Sequence, residues 1–194
     1  AAIRVLGGIP EEANITFYNS FAKTYEGHGS DRAIIGGLMD FKTDDVRIKD
    51  ALAIAKEKGL IYSFKSIGNS SIHHPNTIKL QLKKGDRQVE IMGESLGGGV
   101  INISEVDGFV ANFSAQNHTL IIKADDASGA IAFISSVIAQ EKVNIATMSV
   151  SRKGKHDLAC HVIEMDSGIQ EITRQYLLSL PWIKELIYIP DIDL

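Results

Sequence analysis

The sequence predicts an α+β protein of two domains, and three observations carry that expectation. Between residues 60 and 114, the runs IYSFKSI, TIKLQLK, RQVEIMG, VINISEV and FVANFS alternate apolar and polar residues, with turn formers between them. That is the period of half-buried strands. Before them, helical spacing is confined to residues 30–58. After a short polar joint, Ala115-Gln116-Asn117, the order becomes strand, helix, strand, strand, helix, strand, which is the split-βαβ plan. The boundary is placed near residue 116, giving domains 1–116 and 117–194.

Each element has a local reason. NITFYNS, residues 14–20, alternates Ile15 and Phe17 with Thr16 and Tyr18, as a short strand does. A loop, KTYEGHGSD, follows it. SDRAIIGGLMDF then places Ile34, Ile35 and Leu38 on one helical face, with Ser30 or Asp31 available as N-cap. Gly36 and Gly37 weaken that helix by about 1 kcal/mol each relative to alanine, and leave room for a close neighbour. A second helix is expected over Thr43–Lys58, capped by Thr43 or Asp44. Asp44 and Asp45 in its first turn and Lys56 and Lys58 in its last suit the helix dipole. Ile48, Leu52 and Ala55 form its apolar face, and Gly59 ends it.

The strands that follow turn at Lys84-Gly85-Asp86, Gly97-Gly98-Gly99 and Asp107-Gly108. This pattern predicts an antiparallel sheet with two helices on one face. In the second domain the strands are TLIIKA, NIATMSVSR, LACHVIEM and WIKELIYI. Its helices are SGAIAFISSVIAQEK, capped by Ser128, and GIQEITRQYLLSL, stopped by Pro181, while KGKHD reads as a hairpin turn.

Composition excludes several classes. The 194 residues carry a net charge of −4, with 44% hydrophobic and 23% charged residues. That is ordinary for a globular protein. No basic block is present to displace counterions, so nucleic acid is not an expected partner. No run approaches the roughly 20 apolar residues that cross a bilayer. AAIRVLGGIPEEA does not read as a secretory signal. The single cysteine, Cys160, allows no internal disulfide, and a reducing cytoplasm fits it. An iron–sulfur cluster normally takes about three or four protein thiolates, so this chain cannot hold one alone.

Four polar groups could carry chemistry. Gly27-His28-Gly29-Ser30-Asp31 sets an imidazole between two glycines, just before a helix start whose amides attract anions. His73-His74-Pro75-Asn76-Thr77 offers an imidazole, an amide and a hydroxyl on backbone stiffened by Pro75. Side chains of adjacent residues on extended backbone diverge, so His73 and His74 should not share a metal. Ser95-Leu96-Gly97-Gly98-Gly99 can present backbone N–H groups to an anion, but lacks P-loop or GxGxxG spacing. Asp125-Asp126-Ala127-Ser128-Gly129 precedes a helix and could take the two ends of an amino acid. Each of these also reads as a plain turn, bulge or helix start, and the residues by themselves leave both readings open. Cys160 reads as a small buried hydrophobe. His161 lies on the opposite strand face with no visible carboxylate partner. Met148 and Trp182 read as packing. No nucleophile elbow and no zinc-ligand spacing is present.

In combination these motifs resemble a known family. ITFYNSFAKTYEGHGSDRAIIGGLMDFKTDDVRI, then HPNT at His74–Thr77, then SLGGG, look like the β-subunit or β-domain of bacterial iron–sulfur L-serine dehydratases. The likeness continues into a C-terminal ACT domain, the small-molecule-sensing form of the split-βαβ plan. That family usually opens its β-region with a serine-rich motif followed by His-Thr. This chain begins downstream of it, so the resemblance implies a longer subunit.

The resemblance implies an ammonia-lyase that converts serine to pyruvate and ammonia with an α-subunit whose cysteines hold a [4Fe–4S] cluster. One iron would act there as Lewis acid on the serine hydroxyl. His28 and His74 would be catalytic. Gly29, Ser30, Asp31, Asn76, Thr77, Gly97 and Gly98 would bind substrate, with Ser30 and Asp31 orienting His28. Asp125, Ser128, Gly129 and Asn144 would bind an ACT effector, and ACT domains would pair copies of the chain. The other readings are a stand-alone amino-acid-binding regulator and a purely structural partner subunit.

Overall fold

The computed structural model describes residues 1–68, 74–154 and 157–191. His73 and the centre of the KGKHD turn, residues 155 and 156, lie outside the described residues. The chain divides into two units, Ala1–Gly108 and Phe109–Asp193. The architecture is α+β, with a sheet and a few helices in each unit.

The first unit opens with α1 (Ala2–Leu6), which ends where Gly7 turns left-handed at φ 86°. β1 (Glu12–Tyr18) follows and buries Ala13, Ile15 and Phe17 on one face. Three helices come next: α2 (Phe21–Thr24), α3 (Ser30–Leu38) and α4 (Ala51–Glu57), with a 3-10 turn at Val46–Asp50 before α4. The strands β2 (Ile61–Ile67), β3 (Thr77–Lys84), β4 (Arg87–Gly97) and β5 (Val100–Val106) complete the unit, in spatial order β2-β1-β3-β4-β5.

Three local expectations are corrected. The sheet is mixed, because β1 and β2 run parallel while β1–β3, β3–β4 and β4–β5 are antiparallel. The connection between β1 and β2 carries all three helices, and a connection of that kind returns the chain in the same direction. The helix expected over Thr43–Lys58 begins regularly only at Ala51. Asp45 stays extended, accepting from the Arg47 N–H, and the tighter 3-10 turn intervenes. The N-cap of α3 is left-handed Gly29, with no side-chain cap, in place of Ser30 or Asp31.

Gly36 does what its position suggested. A Cβ there would sit 3.2 Å from Ile48 Cγ1, so the 3-10 turn packs close against α3, while Gly37 faces open space. Phe17 anchors the core, stacked on Tyr25 at 4.1 Å and edge-on to Phe21 at 5.0 Å.

In the second unit, β6 (Phe109–Phe113) leads into β7 (His118–Asp125), α5 (Ala130–Gln140), β8 (Ile145–Arg152), β9 (Leu158–Met165), α6 (Glu171–Leu178) and β10 (Ile183–Ile189). The four later strands lie in order β10-β7-β9-β8, as the βαββαβ reading requires. Leu120, Ile122, Ala124, Ile163 and Met165 share one core with Ile134, Val137, Ile138 and Leu177, so both helices cover the same face. Gly129 at φ 85°, and not Ser128, caps α5.

Candidate functional site

The three motifs of the first unit meet at one end of its sheet. β1 and β2 finish there, and β3 begins there. Thr77 of β3 pairs with Glu94 of β4, so the glycine turn at residues 97–99 projects past the start of β3. The Ser95 N–H donates to the Asn76 carbonyl at 3.0 Å, which ties HPNT to the SLGGG strand. Asn19, just past β1, donates from Nδ2 to the His74 carbonyl at 3.3 Å. Thr77 Oγ1 donates to the same carbonyl at 2.8 Å. The Phe21 N–H donates to the Pro75 carbonyl at 3.2 Å. α2 therefore holds the HPNT loop at its first residue. At its last residue, the Thr24 carbonyl accepts from the His28 N–H at 3.1 Å. One helical turn spans the two histidine loops.

The side chains differ in how they are held. His74 is exposed, and its Nδ1 accepts from the Asn76 N–H at 3.3 Å. A neutral ring with that acceptor carries its proton on Nε2. His28 is exposed, and its imidazole has no hydrogen-bond partner among the described residues. Gly29 sits at φ 69°, and Gly97 and Gly98 at φ 90° and 62°, conformations that favour glycine. Asn76 is half-buried, Thr77 is fully buried, and Ser30 is half-buried. Asp31 is only 8% exposed, and its Oδ1 has no partner among the described residues. No hydrogen bond joins Asp31 or Ser30 to His28 among those residues, so what orients His28 is the backbone of its loop. Beside this end lies an apolar cavity of about 300 Å³, walled by Phe21, Ile34, Leu38, Ile78 and Ile101.

A second hollow, about 420 Å³, is at the opposite end, between Glu12, Gln81, Glu90 and Asp107. Its charges are already engaged: Glu12 with Lys83 at 2.8 Å, Glu90 with Lys79 at 2.7 Å, and Asp107 with the Glu90 N–H at 2.8 Å. These three carboxylates have partners, whereas the His28 imidazole has none among the described residues.

In the second unit, Asp125 pairs with Lys184 at 3.0 Å, beside exposed Ser128 and Gly129. Asn144 precedes β8 and donates to Asp166 at 2.8 Å. β7 and β8 run parallel, both being antiparallel to β9. Asn144 is thus at the far end of the sheet from Asp125–Gly129, roughly 25 Å along an eight-residue strand.

Sequence reasoning missed the polar centre of this unit. Glu164, 6% exposed, accepts from the Ser114 N–H and Oγ and from Thr147 Oγ1, at 3.1, 2.8 and 2.9 Å. A lone carboxylate within the apolar run LACHVIEM was the available signal. His161 is 1% exposed with both ring nitrogens unpartnered among the described residues, and burial pushes its pKa below the usual imidazole value.

The described residues do not fit a cluster. Cys160 is buried. Among the described residues no group of three or more His, Cys, Asp or Glu could hold a metal. No described helix is long and apolar enough to cross a membrane.

The chain is 39% identical, over 187 residues, to a protein of Bacillus subtilis named "Probable L-serine dehydratase, beta chain". The match spans 96% of this chain and 84% of that one. The chain belongs to the L-serine dehydratase beta-chain family. A second beta chain of that name, from Peptoniphilus asaccharolyticus, is 28% identical over 170 residues, 87% of this chain and 77% of its own. The chain is also 28% identical over 163 residues to a D-3-phosphoglycerate dehydrogenase of Bacillus subtilis, covering 83% of this chain and 29% of the dehydrogenase. That stretch is longer than the second unit, so the likeness takes in part of the first unit. No family model matches the sequence.

Proposed function

We propose that this beta chain supplies the proton-transfer and substrate-holding groups of an L-serine dehydratase, and that an alpha chain supplies the iron–sulfur cluster. The observation that carries the reading is the convergence of His28, His74 and the 97–99 glycine turn at one end of one sheet, tied through α2 and Asn76. The chain offers imidazoles, amides and hydroxyls there but no thiolates. On this reading it deaminates serine to pyruvate and ammonia only with its partner.

His28 transfers the proton at the reacting carbons. His74, with Nδ1 engaged, presents Nε2–H as donor. Asn76 and Thr77 fix the His74 loop, and the Gly97-Gly98 turn directs its backbone toward the substrate carboxylate, while Gly29, whose N–H already donates to the Glu26 carbonyl, shapes the His28 loop. Ser30 and Asp31 begin α3 beside that group.

The ACT-like unit is read as an effector sensor that works as a pair. β8 is the edge of its sheet. Two-fold antiparallel pairing through β8 would bring Asn144 of one copy toward Asp125, Ser128 and Gly129 of the other, closing a site that one copy leaves open.

The test is anaerobic pyruvate formation from serine by the chain with and without a cluster-loaded alpha chain, followed by His28→Ala and His74→Ala in the mixture. General acid–base groups contribute about 10²–10⁴ in rate. A His28→Ala enzyme within about threefold of the parent would remove His28 from the chemistry. Pyruvate from the beta chain alone would remove the shared site.

A further inference from the structure

We propose that Tyr25 is a positioning residue for His28, a role that rests on the dehydratase reading of that histidine: the Tyr25 ring, stacked on Phe17, fixes where the GHGSD loop stands. The loop between α2 and α3 has few ways to hold itself. Gly27 and Gly29 bring no side chain, and Glu26 and His28 are exposed. Of residues 25–29, only Tyr25 packs a side chain against the interior.

Its ring lies 4.1 Å from that of Phe17, inclined by 12°, and 5.8 Å from that of Phe64. Phe17 is fully buried on β1, and Phe64 stands on β2, the parallel neighbour of β1. Tyr25 therefore rests on both strands. Phe21, four residues earlier, meets the same Phe17 edge-on at 5.0 Å. Residues four apart share one helical face, so the two rings seat α2 on a single core residue.

The backbone carries that seating to the imidazole. The Tyr25 N–H donates to the Phe21 carbonyl at 3.1 Å, which closes α2. The Tyr25 carbonyl accepts from the Ser30 N–H at 2.8 Å, across the loop. Within that span the His28 N–H donates to the Thr24 carbonyl and the Gly29 N–H to the Glu26 carbonyl, each at 3.1 Å. The other end of α2 holds the HPNT loop through the Phe21 N–H and the Pro75 carbonyl. A shift of Tyr25 thus changes the spacing of His28 from the His74 loop. The hydroxyl has a lesser part. It donates to exposed Glu26 at 3.0 Å, beside exposed Ser66, and water replaces such surface bonds at little cost.

The experiment compares Tyr25→Phe, which keeps the ring, with Tyr25→Ala, which removes it, in the mixture with a cluster-loaded alpha chain and in the chain alone. Misplacing a reacting group by about 1 Å costs on the order of 10²-fold in rate. Tyr25→Ala should lower kcat for serine by about that factor and leave KM within about threefold, because His28 acts at the reacting carbons and other groups hold the carboxylate. Tyr25→Phe should keep kcat within about threefold of the parent. In the chain alone, hydrogen exchange at residues 27–30 should quicken at least about tenfold in Tyr25→Ala and stay parental in Tyr25→Phe. A parental kcat or parental exchange in Tyr25→Ala overturns the proposal. So does equal damage from Tyr25→Phe, or a loss that lies wholly in KM. His28→Ala separates this failure from that of the dehydratase reading. A slowed His28→Ala beside a parental Tyr25→Ala refutes the positioning role alone, whereas a parental His28→Ala refutes both. If Tyr25→Ala does not fold, Tyr25→Leu, which keeps apolar bulk without a flat ring, decides on the same readouts, with a fall in kcat of about tenfold expected.

Discussion

Glu164 gives the sharpest stability test, because two large effects oppose each other there. Its carboxylate is 6% exposed and takes three hydrogen bonds, two from Ser114 and one from Thr147. Hydrogen bonds to a charged group are worth about 1.5–3 kcal/mol each. Against them stands the cost of keeping a carboxylate out of water, which is several kcal/mol. Glu164→Ala removes both terms and strands three donors. Thr147 is exposed and Ser114 only half-buried, so water recovers part of the loss. The net expectation is a loss of about 2–4 kcal/mol. Glu164→Gln keeps the shape. Its carboxamide oxygen can accept from Ser114, while its NH₂ faces a Thr147 hydroxyl that can turn to accept. That variant should lose only about 1 kcal/mol. Urea titration of the three proteins measures the order, and thermal melts should follow at about 2–4 °C per kcal/mol for a chain of this size. An alanine variant within about 0.5 kcal/mol of the parent, or a glutamine variant as damaged as alanine, would refute the reasoning.

Two further outcomes are expected. Burial holds the His161 pKa below 6.5, so the unfolded chain takes up this proton first as pH falls. The neutral ring's contribution is complete above about pH 6.5 and is lost as pH drops toward the folded pKa. His161→Leu sacrifices no hydrogen bond and should flatten the decline in stability between about pH 6.5 and 5, read by denaturant titration at each pH. A variant as acid-sensitive as the parent would assign that decline to other groups. In α3, Gly37→Ala should raise stability by about 0.5–1 kcal/mol, since nothing lies within 4 Å of the added carbon. Gly36→Ala meets Ile48 Cγ1 at 3.2 Å and should show no such gain; equal gains by melting would dismiss the close-packing account.

Much of the fold was legible because period and punctuation agreed. Every strand from β2 to β10 stands where alternation, or the apolar run of β7 and β9, placed it. What sequence could not give was direction and capping. The parallel pairing of β1 with β2 follows from three helices in their connection, a property of the whole path. The 43–58 region reads as one helix because charge placement favours it, yet Asp45 spends its carboxylate on Arg47 and holds the backbone extended. At Gly29 and Gly129, left-handed backbone displaced the side-chain caps that Ser30 and Ser128 offered. The partners of Glu164 were hidden for a related reason. Its donors, Ser114 and Thr147, lie far away along the chain and come together only when β6 and β8 meet the same face.

The candidate site shows the same division between motif and topology. GHGSD, HPNT and SLGGG are each compatible with an ordinary turn. Their meeting depends on β1 ending, β3 beginning and the β4–β5 turn falling at one edge of the sheet, which only register decides. The residues expected to bind an effector make the opposite case. Asp125 and Asn144 look like one set in sequence, yet parallel strands β7 and β8 put them at opposite ends of a single sheet. A ligand the size of an amino acid cannot bridge roughly 25 Å. If both residues serve one ligand, the second must come from another copy, and the unpaired edge at β8 is where the sheet leaves room for it. Isolated chain held below the dissociation constant of its pairing should then bind amino acids no better than an Asn144→Ala variant does, and the two should part only as the chain concentration is raised.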